Sequence, residues 1–173
     1  MTTLCPFKIA IDTREQIPFS FVGMQMPIKG KMTEVYVETI ERCLGNDNGD
    51  YQIEGIDSVT IERKGLDDYY RSISPNSGKR EAFQKQIDWM NFSFRWSMVI
   101  IEAGREEVAD PSAFDDDWRS QLHPHTAEGT IRSWRQRYPR VHFFMAGGRR
   151  EAEIETFQHL YHAWRHSKEK TKK

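Results

Sequence analysis

Two carboxylates and a cation fall close together in the middle of the chain. Asp50 is followed by the run Glu62-Arg63-Lys64, and Asp68 stands four residues beyond the lysine. Carboxylate oxygens are hard donors that suit Mg²⁺ or Mn²⁺ and leave coordination positions open for water and a phosphate oxygen. An ammonium group beside them can orient an attacking water and balance the negative charge that builds on a phosphoryl group. The chemistry this points to is metal-dependent phosphodiester hydrolysis. Glu-x-Lys alone is a common motif on strands, where it forms solvated ion pairs of little consequence. The flanking acids make the longer string far more selective.

These groups have to be positioned by strands. Gly49-Asp50-Tyr51-Gln52-Ile53 and Val59-Thr60-Ile61-Glu62-Arg63-Lys64 read as two β-strands joined by a small polar and glycine connection. Alternation puts Glu62 and Lys64 on one face of the second strand and Ile61 and Arg63 on the other. If the strands pair, Asp50 approaches Glu62. Asn48-Gly49 is a strong turn signal, so Leu44 to Gly49 forms a loop beside the site, and Asp47 competes with Asp50 as a ligand. Asp50 is preferred because it opens the strand-like run.

The remaining pattern is mixed α/β. Phe7 to Asp12 reads as a strand, a Pro- and aromatic-containing loop runs through Pro27, and Glu34 to Arg42 reads as further strand. Helices are expected at Asp67 to Ile73, with Asp67 and Asp68 in the first turn, and from Lys79 to about Asn91. Trp96 to Glu102 is a continuous apolar strand buried on both faces. Thr126 to Tyr138 reads as helix, Val141 to Ala146 as strand and Glu151 to His166 as the closing helix. The expected organisation is one domain over residues 1–167 with a basic tail at 168–173.

The 25 Lys and Arg residues against 26 Asp and Glu give a net charge of −1. Any nucleic-acid surface is therefore a local patch. The candidates are Arg132, Arg135, Arg137 and Arg140, then Arg149 and Arg150, and the tail lysines Lys168, Lys170, Lys172 and Lys173. The acid concentrated at Glu106, Glu107, Asp110 and Asp115 to Asp117 is expected to face away from DNA. No secretory leader or membrane-length apolar run is present, so the expectation is a soluble, cytoplasmic protein. Cys5 and Cys43 are too few for a zinc framework and are expected to be reduced and packed. His159, His162 and His166 recur on one side of the last helix, and His123 and His125 flank Pro124. No Glu accompanies the helical histidines in a His-Glu-x-x-His arrangement, so a solvated helix face accounts for them.

The acid followed by Glu-x-Lys resembles the site of the restriction-endonuclease-like superfamily, and Glu62-Arg63-Lys64-x-x-x-Asp68 resembles its XPF-type branch of structure-specific nucleases. Ile9 to Glu15 looks like that family's first strand with its Asp-x-Arg-Glu element. Gly78 to Phe83 is similar to the opening of its following helix, and Ser97 to Glu102 to its buried strand ending in glutamate. Ser120 to Pro124 and Ala146 to Ala152 are similar to compact microbial and phage-type members, so the resemblance covers nearly the whole chain. It implies a restriction-endonuclease-like α/β fold, a central mixed β-sheet flanked by α-helices, and an Mg²⁺- or Mn²⁺-dependent DNA endonuclease, with branched or flapped DNA, nicked DNA and plain duplex all left open as its substrate. By the same pattern Asp12, Asp50 and Glu62 fall in or near the metal site and Lys64 is the catalytic cation. Arg14, Glu15, Arg63 and Asp68 support them, although alternation sends the Arg63 side chain to the far face and leaves only its carbonyl for the metal. The competing expectation is a noncatalytic DNA-binding or assembly module on the same fold. Pairing through the nuclease domain is implied as well. The aromatic stripes Ile154, Phe157, Tyr161, Trp164 and Ile131, Trp134, Tyr138 agree with a homodimer anchored by Trp164.

Overall fold

The computed structural model describes residues 3–75, 77–110 and 124–170. Its centre is a six-stranded mixed sheet in the order β5-β2-β6-β7-β8-β9, formed by β2 (Ile9–Asp12), β5 (Thr39–Arg42), β6 (Tyr51–Ile53), β7 (Ile56–Lys64), β8 (Trp96–Ile101) and β9 (Val141–Met145). The expected hairpin is β6–β7, antiparallel, turning at Glu54 and Gly55, where Gly55 takes a positive φ of 75°. β8 and β9 then add in parallel. Parallel strands need covered faces, and the run in β8 alternates accordingly. Met98 and Ile100 enter one core with Ile9, Ile61 and the Phe157, Leu160 and Tyr161 side of α5 (Arg149–Lys170), whereas Val99 and Ile101 enter a second. That second core is closed by α1 (Leu66–Ile73), α2 (Arg80–Ser93) and α4 (Pro124–Arg137).

The reading of Glu34 to Arg42 as one strand is corrected here. β4 (Lys31–Tyr36) forms a hairpin with β3 (Met24–Ile28) and pairs in parallel with β1 (Thr3–Leu4), making a separate three-stranded sheet, while β5 pairs with β2. Val37 and Glu38 carry the chain between sheets, a change of partner that local alternation cannot reveal. Pro27 also lies within a strand rather than a loop, which is compatible with its missing N–H because β3 is an edge strand. A short helix unforeseen in the sequence, α3 (Arg105–Ala109), follows β8, and α5 continues to Lys170. Cys5 is buried and Cys43 is exposed, so only the first packs. The stripe Ile131, Trp134 and Tyr138 is buried in the chain's own core; on α5 Phe157 and Tyr161 are buried and Trp164 stacks on Phe7 at 5.8 Å, while Ile154 is exposed. Among the described residues no helix is long and apolar enough to cross a membrane.

Candidate active site

The site sits where β7 leaves the hairpin. Alternation sends Glu62 and Lys64 to the α2 side, and there Lys64 Nζ meets Glu62 Oε1 at 2.8 Å. The lysine also lies over the Phe83 ring, 4.8 Å from its centroid. Burial alone would lower the Lys64 pKa, but Glu62 and, more weakly, Asp50 and Asp68 raise it, so the ammonium stays charged. The second oxygen of Glu62 accepts a hydrogen bond from Gln86 Nε2 at 2.7 Å. Gln86 also donates to the Asn48 carbonyl at 3.2 Å, which ties α2 to the loop before β6.

Asp50 enters this site through the backbone of the motif's arginine. Arg63 N–H donates to Asp50 Oδ2 at 2.7 Å, while the Asp50 carbonyl accepts from Asp12 N–H at 2.9 Å. Burial and then the neighbouring Glu62 charge raise the Asp50 carboxyl well above its ordinary range. Two acids pressed together in this way are a donor set that a hard divalent cation would stabilise. Among the described residues no group of three or more His, Cys, Asp or Glu is arranged to hold a metal, so the set amounts to two carboxylates. Mg²⁺ is commonly held by one or two carboxylates plus water and substrate phosphate, and the residues fit that pattern. Gly49 permits the approach, since a Cβ there would lie 2.5 Å from the Ile61 carbonyl oxygen.

The side chains on the opposite face of β7 form a separate ion ladder. Arg63 pairs with Glu15 at 2.8 Å and with Glu102 at 3.2 Å, and Arg149 meets Glu102 at 2.8 Å. Burial would keep Glu15 protonated, but the Arg63 hydrogen bonds outweigh it and lower its pKa. Asp12 is likewise engaged. It accepts from Arg14 Nε at 2.7 Å, from Arg14 N–H at 2.8 Å and from Leu44 N–H at 2.8 Å, while the Arg14 guanidinium reaches the Gly45 carbonyl. Arg14 and Asp12 thus brace the loop that delivers Asp50, and the structure gives the Asp12 carboxylate to that brace. Asp68 is exposed in the first turn of α1.

The cations proposed for DNA contact are not gathered at the carboxylates. Arg149 donates to the Ile17 and Pro18 carbonyls at 2.8 and 3.0 Å, Arg150 pairs with Glu153 at 2.6 Å, Arg132 with Glu128 at 2.9 Å, and Arg135 donates to the Phe143 carbonyl at 2.5 Å. The cleft beside the site, about 260 Å³, is lined instead by Lys64, Lys79, Gln86, Phe83, Asn46 and Asp47. Asp47 therefore borders the same cleft, while Asp50 is the acid whose charge couples to Glu62. Gln86 and Lys79 were not singled out from sequence. The signal for Gln86 was its spacing, three residues after the buried Phe83 and four before the buried Met90, which puts a polar side chain at the edge of the helix's buried face. His159 stacks on Trp96 at 5.0 Å and burial lowers its pKa. Gly147 takes a φ of 90° in the turn before α5, with its N–H bonded to the Ala103 carbonyl. His123, Asp115 to Asp117, Lys172 and Lys173 lie outside the described residues.

No family model and no curated protein sequence matches the chain. Its fold is similar to that of XPF. XPF from Aeropyrum pernix superposes with a TM-score of 0.59 at 16% identity over 89% of this chain and 65% of that one. XPF from Aeropyrum pernix in complex with DNA superposes with a TM-score of 0.58 at 16% identity, over 89% and 62%. The chain spans just under two thirds of the length of these structures, and the likeness is one of fold.

Proposed function

We propose that this chain is a divalent-metal-dependent DNA endonuclease that hydrolyses phosphodiester bonds at the Glu62–Lys64 cleft, with branched or flapped DNA as its substrate class. The observation that carries the reading is the convergence of Asp50, held by Arg63 N–H at 2.7 Å, with the Glu62–Lys64 pair at 2.8 Å beside an open cleft. A bound Mg²⁺ or Mn²⁺ would polarise a phosphoryl oxygen and make water nucleophilic at neutral pH. Asp50 and Glu62 would supply its oxygen ligands. Lys64 Nζ can donate to the attacking water or to a non-bridging phosphate oxygen, and its charge matches the charge that develops there. Glu62→Gln, Asp50→Asn and Lys64→Ala should each lower Mg²⁺-dependent cleavage of a panel of flapped, branched, nicked and plain duplex DNA by about a hundredfold or more. Unchanged turnover in all three variants overturns the site. A folded wild-type protein that binds DNA and cuts none of the panel is the scaffold alternative.

We also propose that the chain acts as a homodimer. The α4 stripe is buried within the chain, while on α5 Ile154 is exposed and Trp164 is half-buried against Phe7, so that face of α5 and a second surface are both open to pairing. The groove of about 970 Å³ at edge strand β9, lined by Trp96, His142, Phe144, His159 and His162, is a surface that would serve the pairing. Light scattering should report a dimer that His162→Glu converts to folded monomers, whereas a wild-type monomer at all micromolar concentrations removes the pairing and leaves the Glu62–Lys64 site untouched.

A further inference from the structure

Two large aromatic side chains stand in solvent on the helix that borders the cleft. Trp89 is 46% exposed and Phe92 79% exposed. They continue the α2 stripe of Ala82 and Lys85, turned away from the buried Phe83, Ile87 and Met90, with Gln86 on the flank between the two. Trp89 is held in place: its Nε1–H donates to Asn48 Oδ1 at 2.9 Å, and Gln86 bonds both the Asn48 carbonyl and Glu62. The indole is therefore tied to the candidate catalytic carboxylate through two side chains. Lys85 is exposed on the same stripe, and Lys79 and Lys64 line the cleft. Cations for phosphates together with open aromatic faces for bases are the combination that holds unpaired nucleic acid, because a base already stacked in a duplex has no free face to offer. We infer that Trp89, extended by Phe92, is a stacking platform for an unpaired nucleobase next to the phosphodiester in the cleft, so that this site selects DNA carrying unpaired nucleotides. The inference rests on the reading of the cleft as a phosphodiester site.

The test uses the full chain and oligonucleotides carrying 2-aminopurine, either single-stranded or fully duplex, with binding read by anisotropy and base stacking by 2-aminopurine quenching. Binding is measured without divalent metal, and cleavage is measured separately with Mg²⁺. Trp89→Ala should weaken single-strand binding about tenfold and abolish the quenching, while duplex affinity changes by less than about twofold. Trp89→Phe, which keeps a ring and loses only the bond to Asn48, should retain most of both signals. Phe92→Ala, at a largely exposed position, should give a smaller loss in the same direction. Single-strand affinity and quenching unaffected in Trp89→Ala and in a double variant combining Trp89→Ala with Phe92→Ala overturn the platform and leave the aromatics for a protein partner. Equal losses on single-stranded and duplex DNA, or a wild type that binds no single strand, overturn it too. Quenching that depends on Trp89 in a protein that cuts no DNA supports the platform and sinks the nuclease reading alone.

Discussion

Glu62 faces a choice between Lys64 and a metal, and Gln86 decides how it is oriented. With one oxygen on Lys64 Nζ and the other on Gln86 Nε2, the carboxylate has a fixed plane. Outer partners of this kind set the direction of a ligand's lone pairs, and their loss typically costs about 10- to 100-fold in activity or metal affinity. Gln86→Ala should therefore lower turnover within that range and raise the Mg²⁺ concentration needed for half-maximal cleavage. Gln86→Asn, too short to span both partners, should resemble Ala. A merely structural role for Gln86 would lower the unfolding midpoint and leave the Mg²⁺ dependence of folded protein unchanged.

At the scale of elements, α5 holds the segment that precedes β3. Glu153 accepts from Phe21 N–H at 2.5 Å, Ser20 Oγ at 2.9 Å and Arg150 Nη1 at 2.6 Å. Phe21 needs that help, because it is a non-glycine residue at a φ of 54°. Burial opposes ionisation of Glu153, but the bonds from Arg150, Phe21 and Ser20 prevail and lower its pKa. A depressed carboxyl stabilises the fold fully above the unfolded glutamate value, about 4.3, and loses that contribution as pH falls through the folded value. Thermal unfolding of Glu153→Gln should accordingly show its largest deficit near neutral pH and converge on wild type in acid. A deficit that is the same at all pH values would assign the effect to packing.

For the molecule as a whole, the sequence revealed local geometry and left distant partners hidden. The β6–β7 hairpin and the shared face of Glu62 and Lys64 follow from a period of two, and the continuous apolar run of β8 announced its two covered faces. Nothing local shows that Arg63 would find Glu15 and Glu102, which come from different strands' ends, or that Arg149 would close onto Glu102 rather than face a ligand. The division of Glu34 to Arg42 between two sheets was invisible for the same reason. Each depends on which elements meet, and a single sequence encodes that only through the sum of its packing. Several of the cations that stood out in sequence are paired with acids of their own chain at its surface, Arg132 with Glu128, Arg149 with Glu102 and Arg150 with Glu153.

Holding Asp50 against Glu62 also sets folding against activity. Burial and like charge make the ionised Asp50 side chain unfavourable in the metal-free fold, whereas in the unfolded chain both acids are dispersed in water. Removing the charge should make the protein harder to unfold even as it removes a ligand. In metal-free buffer at neutral pH, Asp50→Asn should raise the denaturant midpoint above wild type, and saturating Mg²⁺ should narrow or reverse the gap by stabilising only the wild type. An Asp50→Asn midpoint below that of wild type without metal would show that its bond from Arg63 N–H outweighs the repulsion. On the expected outcome, selection for a hardier protein in the absence of any demand for cleavage would discard this aspartate early.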